Sequence, residues 1–154
     1  MDQSGVTEAL RGNHSARIDD KGRLKVPNAF RALIHQQYGP QVFITSVSGD
    51  NVRIYPMTVW LDIEARLSRV PSTHPARLKF ADRVNFYGQA SELDKQGRLS
   101  IHPRLRDSAH MAGAVDVFGQ YNYLDVWNHE RFLAKLQREP FTDEDALTLS
   151  GFGI

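Results

Sequence analysis

The sequence predicts an α+β fold built from two tandem copies of one unit of about 70 residues. Three observations lead there. Ile18-Asp19-Asp20-Lys21-Gly22-Arg23-Leu24-Lys25-Val26 recurs as Leu93-Asp94-Lys95-Gln96-Gly97-Arg98-Leu99-Ser100-Ile101, with Asp, Gly, Arg and Leu identical 75 positions on. Two further matches follow in the same order: Val52-Arg53-Ile54-Tyr55 over Leu124-Asp125-Val126-Trp127, and Trp60-Leu61 over Phe132-Leu133, now 72 positions on. Within each copy the apolar residues alternate in short stretches and then recur at helical spacing, the marks of strands and helices in one unit.

Each copy reads alike. A short strand (16–18, 89–93) enters a tight turn, where Gly22 and Gly97 stand at a position that calls for positive φ. Asp19 and Asp94 stand at the turn entry, where a short carboxylate accepts local backbone N–H groups. Leu24 and Val26, like Leu99 and Ile101, alternate with polar neighbours, so a second strand with one buried face follows. Pro27 and Pro103 then open helices that run to about Tyr38 and His110. Phe30-Arg31 and Leu105-Arg106 match within those helices. The drift in offset from 75 to 72 places a short deletion in the second copy, between this helix and the next strands. Two more strands follow (42–45 and 52–55; 115–119 and 123–127), and a helix closes each copy. Val59, Trp60, Ile63, Leu67 and Val70 form one apolar stripe, and Phe132, Leu133 and Leu136 form its counterpart after Asn128 as N-cap; both stripes are expected in the core.

The domain layout follows: a first repeat over 11–70, a junction and connecting helix over 71–86, a second repeat over 87–138 and an acidic tail over 139–154, its Gly151-Phe152-Gly153-Ile154 end expected to be disordered. Each half alone sits near the lower size limit for independent folding, so a shared core or an oligomer would stabilise both.

Composition narrows the function. The chain has no cysteine, which removes disulfides, thiolate zinc sites and cysteine nucleophiles. No run of apolar residues is long enough for a membrane span, and the first ten residues do not resemble a secretory signal. The six histidines lack a Glu-flanked i, i+4 metal pattern, and there is no Gly-x-Ser-x-Gly elbow or phosphate loop. An enzyme, a cofactor, a metal and a small-molecule substrate are therefore not expected. Net charge is only +1, but it is polarised. Residues 11–35 carry six basic and two acidic side chains, 74–106 carry seven and three, and 139–154 carry four acidic and no basic ones. Two basic patches suit a polyanion, although solvated faces have the same composition.

The stretch from Arg11 to Pro27, echoed by Leu93-Asp94-Lys95-Gln96-Gly97-Arg98-Leu99, resembles the bacterial MraZ family, whose mark is a doubled Asp-x-x-x-Arg motif. The resemblance runs from about Leu10 to about Arg138. It implies tandem AbrB-like swapped-hairpin β-barrel units with peripheral helices, assembled as a ring-like homo-oligomer. It implies a cytoplasmic, nucleoid-associated transcription regulator that binds repeats in the promoter of the division and cell-wall gene cluster, its own included. Asp19, Arg23, Asp94 and Arg98 would be the signature positions, with the arginines facing DNA. The chain departs from the family in an extension of about eight residues before Arg11, in the acidic tail, and in His102, which stands where the first copy has Pro27.

The residue chemistry is compatible with that role. Arginine can donate two parallel bonds to a phosphate, and a two-stranded ribbon fits the major groove. The expected DNA contacts are Arg17, Lys21, Arg23 and Lys25 in the first copy and Lys95 and Arg98 in the second, where Ser100 replaces Lys25. Arg23 and Lys25 share a strand face opposite Leu24 and Val26. Asp19, Gly22, Asp94 and Gly97 shape the turns. The competing reading is structural: each Asp–Arg pair is a salt bridge that holds its hairpin, and the assembly is an antitoxin-like module without DNA contact.

Overall fold

The computed structural model describes residues 8–154; residues 1–7, which hold most of the N-terminal extension, lie outside the described residues. The first copy comprises β1 (Leu10–Ile18), β2 (Arg23–Lys25), α1 (Asn28–Tyr38), β3 (Gln41–Thr45), β4 (Val52–Pro56) and α2 (Met57–Leu67). A connecting helix, α3 (Pro75–Phe86), leads into the second. That copy comprises β5 (Gln89–Glu92), β6 (Arg98–Ser100), α4 (Pro103–Ser108), β7 (Gly113–Tyr121), β8 (Leu124–Asn128) and α5 (His129–Arg138), and α6 (Asp143–Ser150) follows. The offset drift now has a location: α4 has 6 residues where α1 has 11.

The copies are tandem in sequence and intertwined in space. All eight strands form one antiparallel sheet in the order β5-β3-β4-β8-β7-β1-β2-β6, and it curls into a nearly closed, barrel-like wall. Each copy lends its first strand to the other. β1 pairs with β7 along its whole length, from Leu10 opposite Tyr121 to Ile18 opposite Gly113, and β5 pairs with β3. Equivalent strands meet at β2–β6 and β4–β8. At β2–β6 the fully buried Leu24 stands opposite Leu99. The flanking backbone bonds are reciprocal: Val26 N–H donates to Gly97 O at 2.9 Å and Ile101 N–H donates to Gly22 O at 3.0 Å. This local pseudo-twofold is what a swapped-hairpin dimer would show between two chains, achieved here within one.

One core therefore serves both copies. Phe30 and Ile34 of α1 and Leu105 of α4 join Leu24 and Leu99 in a single buried cluster. A second cluster covers the outer side of the first copy. There Trp60 of α2 stacks on Phe43 with centroids 4.6 Å apart, and Phe80 of α3 lies 6.4 Å from Trp60. Thr45 Oγ1–H donates to Val84 O at 2.7 Å and ties α3 to β3. The first apolar stripe reaches the core only in part: Trp60 is buried with Val59 and Ile63 packed beside it, whereas Leu67 ends the helix half-buried and Val70 lies beyond it, both outside the core clusters.

The second stripe falls further short. Phe132 packs on Phe118 at 4.4 Å, but Leu133 and Leu136 are 45% and 56% exposed. Their counterparts on α2, Leu61 and Glu64, are exposed as well, so these two positions face outward on the closing helix of both copies. The tail also departs from expectation. Thr142 and Asp145 form a reciprocal capping box, and Asp143 and Glu144 complement the helix dipole, so 143–150 is helical. The Gly151–Ile154 end continues in hydrogen-bonded turns, Phe152 N–H donating to Leu149 O at 2.9 Å. At the start of α4, His102 does what Pro27 cannot: its Nδ1 accepts from Leu105 N–H while Nε2–H donates to Tyr87 O at 2.9 Å.

On the second copy's outer side, the buried Asp116 accepts from Asn13 Nδ2 at 3.2 Å and from His129 Nδ1–H at 2.7 Å, joining β1, β7 and α5. The hydrogen bond to Asp116 raises the His129 pKa above its ordinary value. A raised histidine pKa contributes stability that is complete below the unfolded value and lost as pH rises through the folded one. The denaturation midpoint should therefore fall between about pH 6 and about pH 8 in the parent, and this component of the fall should vanish in His129→Gln; equal slopes in the two proteins would refute it.

A shared core also predicts one unfolding event. Trp60 and Trp127, one per copy, are the two tryptophans. Variants retaining either one should report the same denaturant midpoint. Leu24→Ala should lower both midpoints together, by about 2–5 kcal/mol of stability. Two separated midpoints would mean that the copies unfold independently.

Candidate nucleic-acid interface

The two hairpin turns are near-copies. Asp19 Oδ1 accepts from the N–H groups of Lys21 and Arg23, both at 2.9 Å, and Asp94 Oδ1 accepts from Gln96 and Arg98, both at 2.8 Å. Gly22 N–H donates to Asp19 O and Gly97 N–H to Asp94 O, each at 3.0 Å. Both glycines take φ +76°, which a Cβ would disfavour. The backbone N–H groups of Arg23 and Arg98, followed by their side chains, hold the Asp19 and Asp94 carboxyls below the ordinary aspartate pKa. These turns thus keep their charge-assisted bonds throughout the neutral range.

The signature arginines are ion-paired and still available. Arg23 Nε donates to Asp19 Oδ2 at 2.8 Å, and Arg98 Nε to Asp94 Oδ2 at 3.0 Å. Each contact occupies one edge of a planar guanidinium, leaving the terminal nitrogens to point elsewhere. In the second copy Arg98 Nη2 also donates to Gln96 Oε1, whereas Arg23 has no such second partner among the described residues. The carboxylate therefore orients the arginine without consuming it. Partly exposed pairs of this kind contribute about 0–1 kcal/mol, so their chief effect is geometric.

Strand register gathers the cations. Arg23 and Lys25 face outward from β2, with Leu24 inward between them. Lys25 stands opposite Arg98, and Arg23 opposite Ser100. Ile18 pairs with Leu24, so the same antiparallel register sets the exposed Arg17 beside Lys25, and both line one groove. Arg17, Lys25 and Arg98 thus form a row across β1, β2 and β6, with Arg23 one step along. Lys21 and Lys95 are exposed on the two turns, which lie at opposite ends of the β2–β6 ladder. The six sequence-derived cations occupy one sheet face and its two tips.

Sequence reasoning passed over Arg31 and Arg106. They match in the repeat, yet nothing in the repeat indicates that each lies on the other copy's turn. Arg106 of α4 covers Gly22, and Arg31 of α1 covers Gly97. Among the described residues no cluster of three or more His, Cys, Asp or Glu side chains could hold a metal, and no helix is long and apolar enough to cross a membrane.

Comparison with known proteins agrees with this architecture. The family model described as "MraZ protein, putative antitoxin-like" matches residues 9–83 and 88–150, one segment in each half. A protein of Acidobacterium capsulatum named Transcriptional regulator MraZ is 48% identical over 145 residues, covering 94% of this chain and 99% of its own. One of the same name from Koribacter versatilis is 46% identical over 146 residues, with 94% and 99% covered. Another from Herpetosiphon aurantiacus is 33% identical over 147 residues, with 93% and 98% covered. These relatives are named as regulators, not enzymes. With both copies matched, and with relatives of near-equal length approaching half identity, the chain belongs to the MraZ family.

Proposed function

We propose that this transcriptional regulator, which is not an enzyme, binds double-stranded DNA with the β1–β2–β6 face. The observation that carries the reading is the row Arg17–Lys25–Arg98 beside Arg23, gathered from both copies onto one outward surface. The turns stand about four residues apart along the ladder, roughly 13 Å. That span is comparable to the major groove, about 12 Å wide. Arg23 and Arg98 are the DNA-facing signature residues, Lys21 and Lys95 reach phosphates from the tips, and Asp19 and Asp94 shape the turns, since a carboxylate near phosphate is repelled. The contacts are unequal: Ser100 stands where the first copy has Lys25, so the first copy contributes more of the phosphate affinity.

In this reading the protein acts in the cytoplasm, on the nucleoid, as a homo-oligomeric ring. Its targets are promoter repeats upstream of division and cell-wall genes, its own promoter among them. Several faces on one assembly meeting several repeats raise effective concentration without new contacts. The exposed Leu133 and Leu136 support assembly, because large apolar side chains left uncovered on a helix favour a partner. The same exposure, with four acidic residues after Arg138, favours the second reading, an antitoxin-like assembly module that binds protein alone.

The readings separate in a mobility-shift titration on DNA upstream of the protein's own gene. The parent should shift it, with affinity falling steeply as salt rises. Arg23→Ala should weaken binding by about 1–3 kcal/mol, roughly 5- to 150-fold, with an unchanged circular dichroism spectrum. Its log–log salt slope should flatten by about 0.9, one phosphate contact. A correctly assembled protein that gives no shift at low salt would leave the assembly module as the better account. Light scattering should report a mass well above the 17.5 kDa chain, and a monomer would exclude the ring.

A further inference from the structure

The structure assigns Arg31 and Arg106 as reciprocal positioning residues: each clamps the Asp-x-x-Gly-Arg turn of the copy to which it does not belong, and so aims that copy's DNA-facing arginine. Their effect on DNA rests on the reading above; the clamp itself does not. Gly22 and Gly97 are buried although they sit in turns whose neighbours Lys21 and Gln96 are exposed. What buries them is arginine. A Cβ built on Gly97 would meet Arg31 Cδ at 2.6 Å and Nη1 at 2.9 Å. One built on Gly22 would meet Arg106 Cδ at 2.8 Å and its guanidinium closer still. The glycines therefore provide flat seats for these side chains, the Arg31 stem on Gly97 and the Arg106 guanidinium on Gly22, beyond permitting positive φ. Arg31 Nη2 also donates to Lys95 O at 3.3 Å, fastening the second turn from above.

Three features make these side chains clamps rather than free cations. Each is half-buried, and neither takes part in an ion pair among the described residues. Each follows a core anchor, Phe30 or Leu105, at 4% and 0% exposure, so its helix cannot move without disturbing the shared core. And apart from the arginine, each turn is tied to the opposite copy by one backbone bond, Ile101 N–H to Gly22 O or Val26 N–H to Gly97 O. β2 and β6 are three residues long, and the Asp bonds hold a turn's shape but not its direction relative to the barrel. The Asp supplies the local form; the cross-copy backbone bond and the opposite copy's arginine together supply the orientation.

The assignment has a crossed signature that general loosening would not produce. In DNA-free protein, amide hydrogen exchange should speed up about 5- to 10-fold at Gly22 and Arg23 in Arg106→Ala, with Gly97 and Arg98 unchanged, and the converse should hold for Arg31→Ala. Arg106→Met, which keeps the stem, should show a smaller effect at the same amides and serves if the alanine variant does not fold. On DNA, Arg106→Ala should be non-additive with Arg23→Ala and additive with Arg98→Ala, with an unchanged salt slope. Equal acceleration at both turns, acceleration in the arginine's own copy, or none would overturn the clamp. A salt slope flattened by about 0.9 in Arg106→Ala would replace positioning with direct phosphate contact. So would additivity with Arg23→Ala. Because exchange is read without DNA, the clamp stands or falls separately from the Arg23→Ala result that tests DNA binding.

Discussion

The rest of the structure depends on the short ladder where β2 meets β6. Leu24 and Leu99 face each other in the core, while the Val26 and Ile101 N–H groups donate to the turns of the opposite copy. Because these bonds are reciprocal, neither hairpin can leave the barrel without breaking the other's pairing. A half-length unit would have an exposed edge on each of β1, β2, β3 and β4 and too little apolar surface to fold securely. Each copy supplies the missing edge strand of the other, and one core is made from two weak ones.

The same ladder makes the cationic face. A β-strand alternates its side chains, so burying Leu24 and Leu99 forces Arg23, Lys25 and Arg98 outward together. The fold and the face are consequences of one register; a slip of one residue would bury the arginines and expose the leucines. The salt-bridge role of Arg23 and Arg98 and the DNA-facing role proposed for them, which look like rivals in the sequence, are compatible in space. The carboxylate takes one edge of the guanidinium and leaves the others free.

Duplication has not kept the copies equal. Where the first copy has Lys25 and Pro27, the second has Ser100 and His102, and the histidine caps a helix that has lost five of eleven residues. The closing helices differ most. α2 buries Trp60 under α3, whereas α5 buries none of its residues.

Much was legible from residue order because much is local. The Asp and Gly of each turn, the alternation of Leu24 with Lys25, and the Asn128 cap report bonds made within a few residues. The repeat itself showed that whatever the first half does, the second half does nearly again. Local pattern could not show which strands exchange between copies, because alternation marks a buried face without naming what covers it. It misplaced Leu133 and Leu136 for the same reason: a stripe at helical spacing records amphipathicity, and whether a neighbour arrives is a matter of packing. The turns at 151–154 hang on the carbonyls of Thr148, Leu149 and Ser150, so they follow from the helix before them, which two glycines in the tail do not announce. The sequence by itself determined two turns, their charges and the faces of their strands. The tertiary structure alone decided that those faces merge into one surface and that Arg31 and Arg106 cross between copies, since both depend on contacts between residues tens of positions apart.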